Sequence, residues 1–140
     1  MKTPPKKIDH IGIAVKSIEN HLPFYENVLG LELLKVESVE TQKVKVAFIS
    51  IGSSKIELLE PLNSESPVAK FIDKKGEGIH HVALGVSNIE ERLQEIRDDG
   101  VQTLNEKPVK GAGGADVAFL HPASTGRVLF EFCEKKNEEE

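Results

Sequence analysis

The strongest constraint on this chain is that it is written twice. Ile8-Asp9-His10-Ile11-Gly12-Ile13-Ala14-Val15 returns about 71 residues later as Ile79-His80-His81-Val82-Ala83-Leu84-Gly85-Val86. Ser17-Ile18-Glu19 matches Asn88-Ile89-Glu90, and each opens a segment that closes on a glycine, Gly30 or Gly100. Val46-Ala47-Phe48-Ile49 matches Val117-Ala118-Phe119-Leu120, and Ile56-Glu57-Leu58 matches Phe130-Glu131-Phe132. Four matches in one order describe a module used twice, 7–62 and 78–134, with a linker at 63–77 inside a single domain of 1–140. Periodicity within each module reads strand, helix, then three strands. The expected strands are 8–15, 31–38, 43–51 and 54–60, then 101–105, 115–121 and 127–133 after the repeated first strand. Ser17 and Asn88 stand where helices need N-caps, and Gly30 and Gly100 where helices end. Ser66-Pro67-Val68-Ala69-Lys70-Phe71-Ile72 reads as a short connecting helix with proline in its first turn.

Composition narrows the function classes. With 140 residues, 39% hydrophobic and 29% charged, the chain has the balance of an ordinary globule. No apolar run approaches the roughly 20 residues of a membrane span. The basic start, Met1 to Lys7, lacks the apolar stretch of a secretory signal, so a cytoplasmic protein is expected. A net charge of −5 argues against a nucleic-acid partner while leaving room for a local basic patch. The single cysteine, Cys133, excludes an internal disulfide and a cysteine-based zinc site. The closing run Lys135-Lys136-Asn137-Glu138-Glu139-Glu140 reads as a solvated, frayed end.

Alternation along the strands isolates the candidate site. Ile11, Ile13 and Val15 share one face of the first strand, which should pack on a helix, and His10, Gly12 and Ala14 share the other. In the repeat, Val82, Leu84 and Val86 oppose His81, Ala83 and Gly85. One histidine followed by very small residues makes a cavity wall rather than a core. A carboxylate centred in a short apolar strand, as at Glu57 and Glu131, is costly to bury unless paired or bound to a cation. Singly, each histidine could be a satisfied core residue and each glutamate an edge residue facing solvent. As a repeated set of two imidazoles and two carboxylates, they suit a divalent transition metal. His80 should face the helices, His21 lies on a helix surface, and His121 sits in a loop where it contacts a ligand or shapes the turn. Ser124-Thr125 has no histidine at triad spacing. Gly111-Ala112-Gly113-Gly114 lacks the lysine of a P-loop; it permits a close backbone approach to a ligand or is simply flexible.

These residues resemble the vicinal-oxygen-chelate (glyoxalase-like) superfamily. The passages Ile56 to Leu62, Ser66 to Ile72, Lys75 to Ala83 and Gly111 to Pro122 are most similar to the methylmalonyl-CoA epimerases within it, over about residues 7–134. The resemblance implies an α+β fold in which two βαβββ modules form a curved mixed sheet, a half-barrel, around a metal. It implies ligation by His10, His81 and Glu131, with Glu57 at a fourth position that family members fill with glutamine or glutamate. The implied cofactor is a divalent ion, cobalt by family habit, with nickel, manganese, iron or zinc open on ligand chemistry. The implied reaction inverts C2 of methylmalonyl-CoA through a metal-stabilised enolate, with Glu131 as one base. Some epimerases carry a second glutamate on the third strand, where the matching position here is Lys45; sharing a face with Ala47 and Ile49, it is expected to reach the cavity as an acid, a base or an anion holder, or else to lie in solvent. Glu40 and a water chain are the alternatives. The partners implied are a small acyl-CoA and a second copy of the chain, as a homodimer. A glyoxalase-type isomerase and a non-catalytic binder of the same fold are the rival functions.

Overall fold

The computed structural model describes residues 2–135; Met1 and all but the first residue of the charge run expected to fray at 135–140 lie outside them, and Lys135 itself pairs with the buried Asp9 at 3.1 Å. The strands are β1 (Lys7–Ala14), β2 (Glu32–Val39), β3 (Val44–Ile51), β4 (Ser54–Pro61), β5 (Gly78–Gly85), β6 (Val109–Lys110), β7 (Asp116–Phe119) and β8 (Phe130–Glu134). The helices are α1 (Ile18–Pro23), α2 (Pro67–Lys75) and α3 (Ile89–Asp98). The strands form a mixed sheet in the order β2-β3-β4-β1-β5-β8-β7-β6. The chain divides into two compact units, His10–His80 and Met1–Asp9 with His81–Glu140. Among the described residues, no helix is long and apolar enough to cross a membrane.

In the first unit, the His10–Ala14 stretch of β1 runs parallel to β4, while β3 pairs antiparallel with both β4 and β2. Val15, Ile18, Ala47, Ile49 and Leu58 make its core, joined by Ile13, Leu22 and Leu33. The bulky face of β1 therefore packs on α1, as the alternation requires. Ser17 caps α1 by accepting from the Asn20 backbone N–H at 3.2 Å. Pro23 ends α1 without an N–H to donate, and the chain widens into a π turn over Phe24–Val28, closed by Leu29 N–H to Phe24 O at 3.0 Å. Gly30 then takes the left-handed conformation, φ 75°, that lets the chain turn into β2.

In the second unit, β5 and β8 run parallel and β7 is antiparallel to β8. Its core repeats the first: Val86, Ile89, Leu93, Ala118, Leu120 and Phe132. Three expectations fail here. Asn88 does not cap α3 with its side chain; it is itself left-handed, φ 54°. The Glu134 carboxylate caps instead, accepting from Asn88 N–H at 2.9 Å and Ile89 N–H at 3.0 Å. The strand expected at 101–105 is also missing, with only an isolated bridge between Thr103 and Leu120 and the two-residue β6 in its place. Arg97 holds that stretch from α3, donating to Thr103 Oγ1, Asn105 O and Glu106 O. That bridge keeps two ladder bonds, His121 N–H to Gln102 O and Leu104 N–H to Phe119 O, each 2.8 Å; beyond it Asn105 O is taken by Arg97 and the Phe119 N–H by the Asn105 side chain, so the ladder stops. The last strand starts at Phe130 rather than 127, because Arg127 sits at φ 73° in the preceding turn.

A buried pair in each unit and its relatives

Both candidate pairs follow from one rule of register. On β4, Glu57 stands opposite Gly12 of β1, two residues beyond His10. On β8, Glu131 stands opposite Ala83 of β5, two residues beyond His81. Partners across a ladder point to the same side, so each glutamate shares the face of its own histidine. On the far side of each glutamate the partner is a phenylalanine, Phe48 for Glu57 and Phe119 for Glu131.

His10 Nδ1 lies 3.3 Å from Glu57 Oε2, with only about a twentieth of either residue exposed. His81 Nε2 lies 3.0 Å from Glu131 Oε1 at similar burial, and the Phe119 ring meets the His81 ring edge-on at 5.5 Å between centroids. The opposite reading, with each glutamate turned to solvent from an edge strand, fails: β4 and β8 each have strands on both sides, and both carboxylates are buried. Small side chains surround the second pair, Ala83, Ala115, Val117 and Cys133 clustering on the Glu131 side of the sheet. In donor chemistry each pair suits a divalent metal: an imidazole nitrogen and a carboxylate oxygen, withdrawn from water, whose burial a cation would compensate.

The placement of Lys45 on the cavity face does not hold. Lys45 does share a face with Ala47 and Ile49, but that face belongs to the core under α1. Its cross-strand neighbour on β4 is Glu60, whose Oε1 accepts from the Ile18 N–H at 2.8 Å at the start of α1. Glu57 points to the other side, with Phe48. Glu40 is exposed in the turn after β2. Two lysines that sequence reasoning passed over do occupy the Glu57 face: Lys55, directly across from His10, and Lys35, across from Phe48. Plain alternation could have found Lys55, since it precedes Glu57 by two residues.

The remaining candidates take structural places. His80 meets the Phe71 ring edge-on at 4.9 Å. His21 Nε2 lies 3.1 Å from Glu77 Oε2, which also accepts from the Lys16 backbone N–H at 2.7 Å. That backbone bond, then the His21 contact, holds the Glu77 carboxyl below the usual carboxylate range. His121 shapes its turn by accepting at Nδ1 from Ala123 N–H at 3.0 Å. Gly111 does serve a close approach, but to Val117: a Cβ there would lie 3.0 Å from Val117 Cγ2.

The family model for the Glyoxalase/Bleomycin resistance protein/Dioxygenase superfamily matches residues 9–119. A crystal structure of a hypothetical protein, BH1468 from Bacillus halodurans C-125, shares 63% identity at a TM-score of 0.93, covering 96% of this chain and 97% of that one. The mitochondrial methylmalonyl-CoA epimerase of Bos taurus is 39% identical over 126 residues, 89% of this chain and 72% of its own length. The Streptomyces coelicolor methylmalonyl-CoA epimerase in complex with 2-nitronate-propionyl-CoA superposes with a TM-score of 0.93 at 36% identity, over 98% of this chain and 99% of that one. With the repeated His–Glu register and these likenesses together, the chain belongs to the Glyoxalase/Bleomycin resistance protein/Dioxygenase superfamily and, within it, to the methylmalonyl-CoA epimerases.

Proposed function

We propose that this protein interconverts the two C2 epimers of methylmalonyl-CoA, and that His10, Glu57, His81 and Glu131 together would hold one divalent metal ion for the purpose. The observation that carries the reading is the same buried His–Glu pair, in the same register, in each unit. The C2 hydrogen lies between a thioester and a carboxylate, so its removal leaves an enolate whose charge needs a positive partner. When bound, the ion supplies that partner; cobalt is the choice the family resemblance implies, and nickel, manganese, iron and zinc suit the same donors.

The chain's own residues supply the rest. Glu131 takes the C2 proton at a carboxylate oxygen, beside small side chains that leave room for the substrate. Phe48 and Phe119, each across the ladder from a glutamate, exclude water from the two carboxylates and so strengthen their electrostatic interactions. Inversion requires the proton to return on the opposite face. Lys45 faces the α1 core and Glu40 lies in an exposed turn, so we assign that return to a water on the face away from Glu131; the hydroxide it leaves is neutralised when Glu131 releases the abstracted proton to solvent at the end of the cycle. The homodimer implied by the resemblance and the cytoplasmic setting expected from the amino-terminal sequence belong to the same proposal, the dimer to be read by sedimentation.

The test is hydrogen exchange. Metal-loaded protein incubated with methylmalonyl-CoA in deuterated water should replace the C2 hydrogen with deuterium and interconvert the epimers. Absence of exchange at C2 in protein with stoichiometric metal would overturn the reading.

A further inference from the structure

The antiparallel register of the first unit has one break. Leu33 pairs with Ile49 and Lys35 with Phe48, so Leu34 of β2 has no residue of its own on β3. An extra residue of this kind reverses the side-chain alternation over the rest of the strand and so re-aims its side chains. Leu33 packs in the core under α1. Regular alternation would send Lys35, two residues on, to that same core. The bulge turns it to the other face, where its Nζ lies 5.2 Å from the centroid of the Phe48 ring. Phe48 pairs with Glu57, and Glu57 with Gly12. Lys35, Phe48, Glu57 and Gly12 therefore form one row across four strands, on the face that carries His10.

The Lys35 side chain is 57% exposed, and its carboxylate neighbour, Glu37 at 3.5 Å, forms an open surface pair of the kind easily exchanged for a stronger anion. A chain of net charge −5 that binds an acyl-CoA needs local cations to offset its own field. The backbones of β2 and β4 are two strand spacings of about 4.8 Å apart, with the Phe48 ring between Lys35 and Glu57. With the acyl carboxylate expected at the metal ligands, the phosphates of the CoA are the anions left for an exposed cation on the β2 edge. We propose that Lys35, re-aimed by the β2 bulge, holds a phosphate of the CoA moiety, with the pantetheine arm crossing Phe48. This rests on the acyl-CoA reading above.

The test separates the two ideas. Calorimetric titration of free CoA into the metal-loaded protein should show Lys35→Met weakening affinity about fivefold, the upper range for an exposed charge pair, with Lys35→Arg retaining it. In turnover, Lys35→Met should raise KM for methylmalonyl-CoA by a similar factor while kcat holds. KM for methylmalonyl-pantetheine, which lacks the phosphates, should not change. Equal CoA affinity in wild type and Lys35→Met would overturn the assignment. So would a matching KM rise for both thioesters, which would move Lys35 to the acyl carboxylate. Because the titration needs no turnover, a wild type that binds CoA through Lys35 yet exchanges no C2 hydrogen would sink the epimerase reading and leave Lys35 in place.

Discussion

Lys45 and Lys35 lie on adjacent strands and on opposite faces of the sheet, Lys45 with the core under α1 and Lys35 over Phe48 on the face of Glu57. Alternation along β3 could not assign Lys45 because Val44, Val46, Ala47, Phe48 and Ile49 are all buried. A strand covered on both sides carries no polar stripe to mark its cavity face. Lys45→Ala should accordingly leave kcat/KM for methylmalonyl-CoA within about twofold, the range of substitutions that touch no special feature. A larger loss, in protein of unchanged metal content, would show that Lys45 reaches the substrate after all. The histidine and glutamate positions were easier to read, since each stands beside glycine or alanine, or in the middle of an apolar strand, and each does so twice.

At the scale of elements, each closing strand uses two glutamates for opposite tasks. Glu57 and Glu131 face His10 and His81, while Glu60 and Glu134, an odd number of residues further on, face the helices and accept from the first N–H groups of α1 and α3. The uncompensated N–H groups at a helix start, with the partial positive charge they carry, make a carboxylate there stabilising. Glu134→Ala should lower unfolding free energy by about 1–2 kcal/mol, the cost of losing an N-cap. Glu60→Ala should cost less, because Ser17 also caps α1. Urea unfolding midpoints would check both, and equal midpoints for wild type and Glu134→Ala would refute the capping role. The spacing of Glu57 to Glu60 and Glu131 to Glu134 was present in the repeat from the start. Its meaning was not, because a remote cap is visible only once strand end and helix start are neighbours.

For the whole molecule, a metal held by four ligands drawn from both modules would bind the folded chain and not the unfolded one, and so must stabilise it. At free metal about a hundredfold above Kd the gain is about 2.7 kcal/mol, which for a chain of this size is roughly 6–10 °C in Tm. Dialysis against a chelator should lower Tm by that amount, and adding the metal back should restore it; an unchanged Tm would contradict shared ligation. The amino-acid sequence alone determined the doubled βαβββ plan, the helix-facing side of β1 and β5 and the side opposite it, and the four residues of the two buried His–Glu pairs. Those properties repeat locally, with a period of two along a strand and about 71 between modules, so they need no knowledge of neighbours. The tertiary structure alone decided the face of Lys45, the turn of Lys35 at the Leu34 bulge, the loss of the strand expected at 101–105 and the capping of α3 by Glu134. Each of these depends on which partner a backbone group or a side chain meets across the fold, and one extra residue in a ladder is enough to reverse a face.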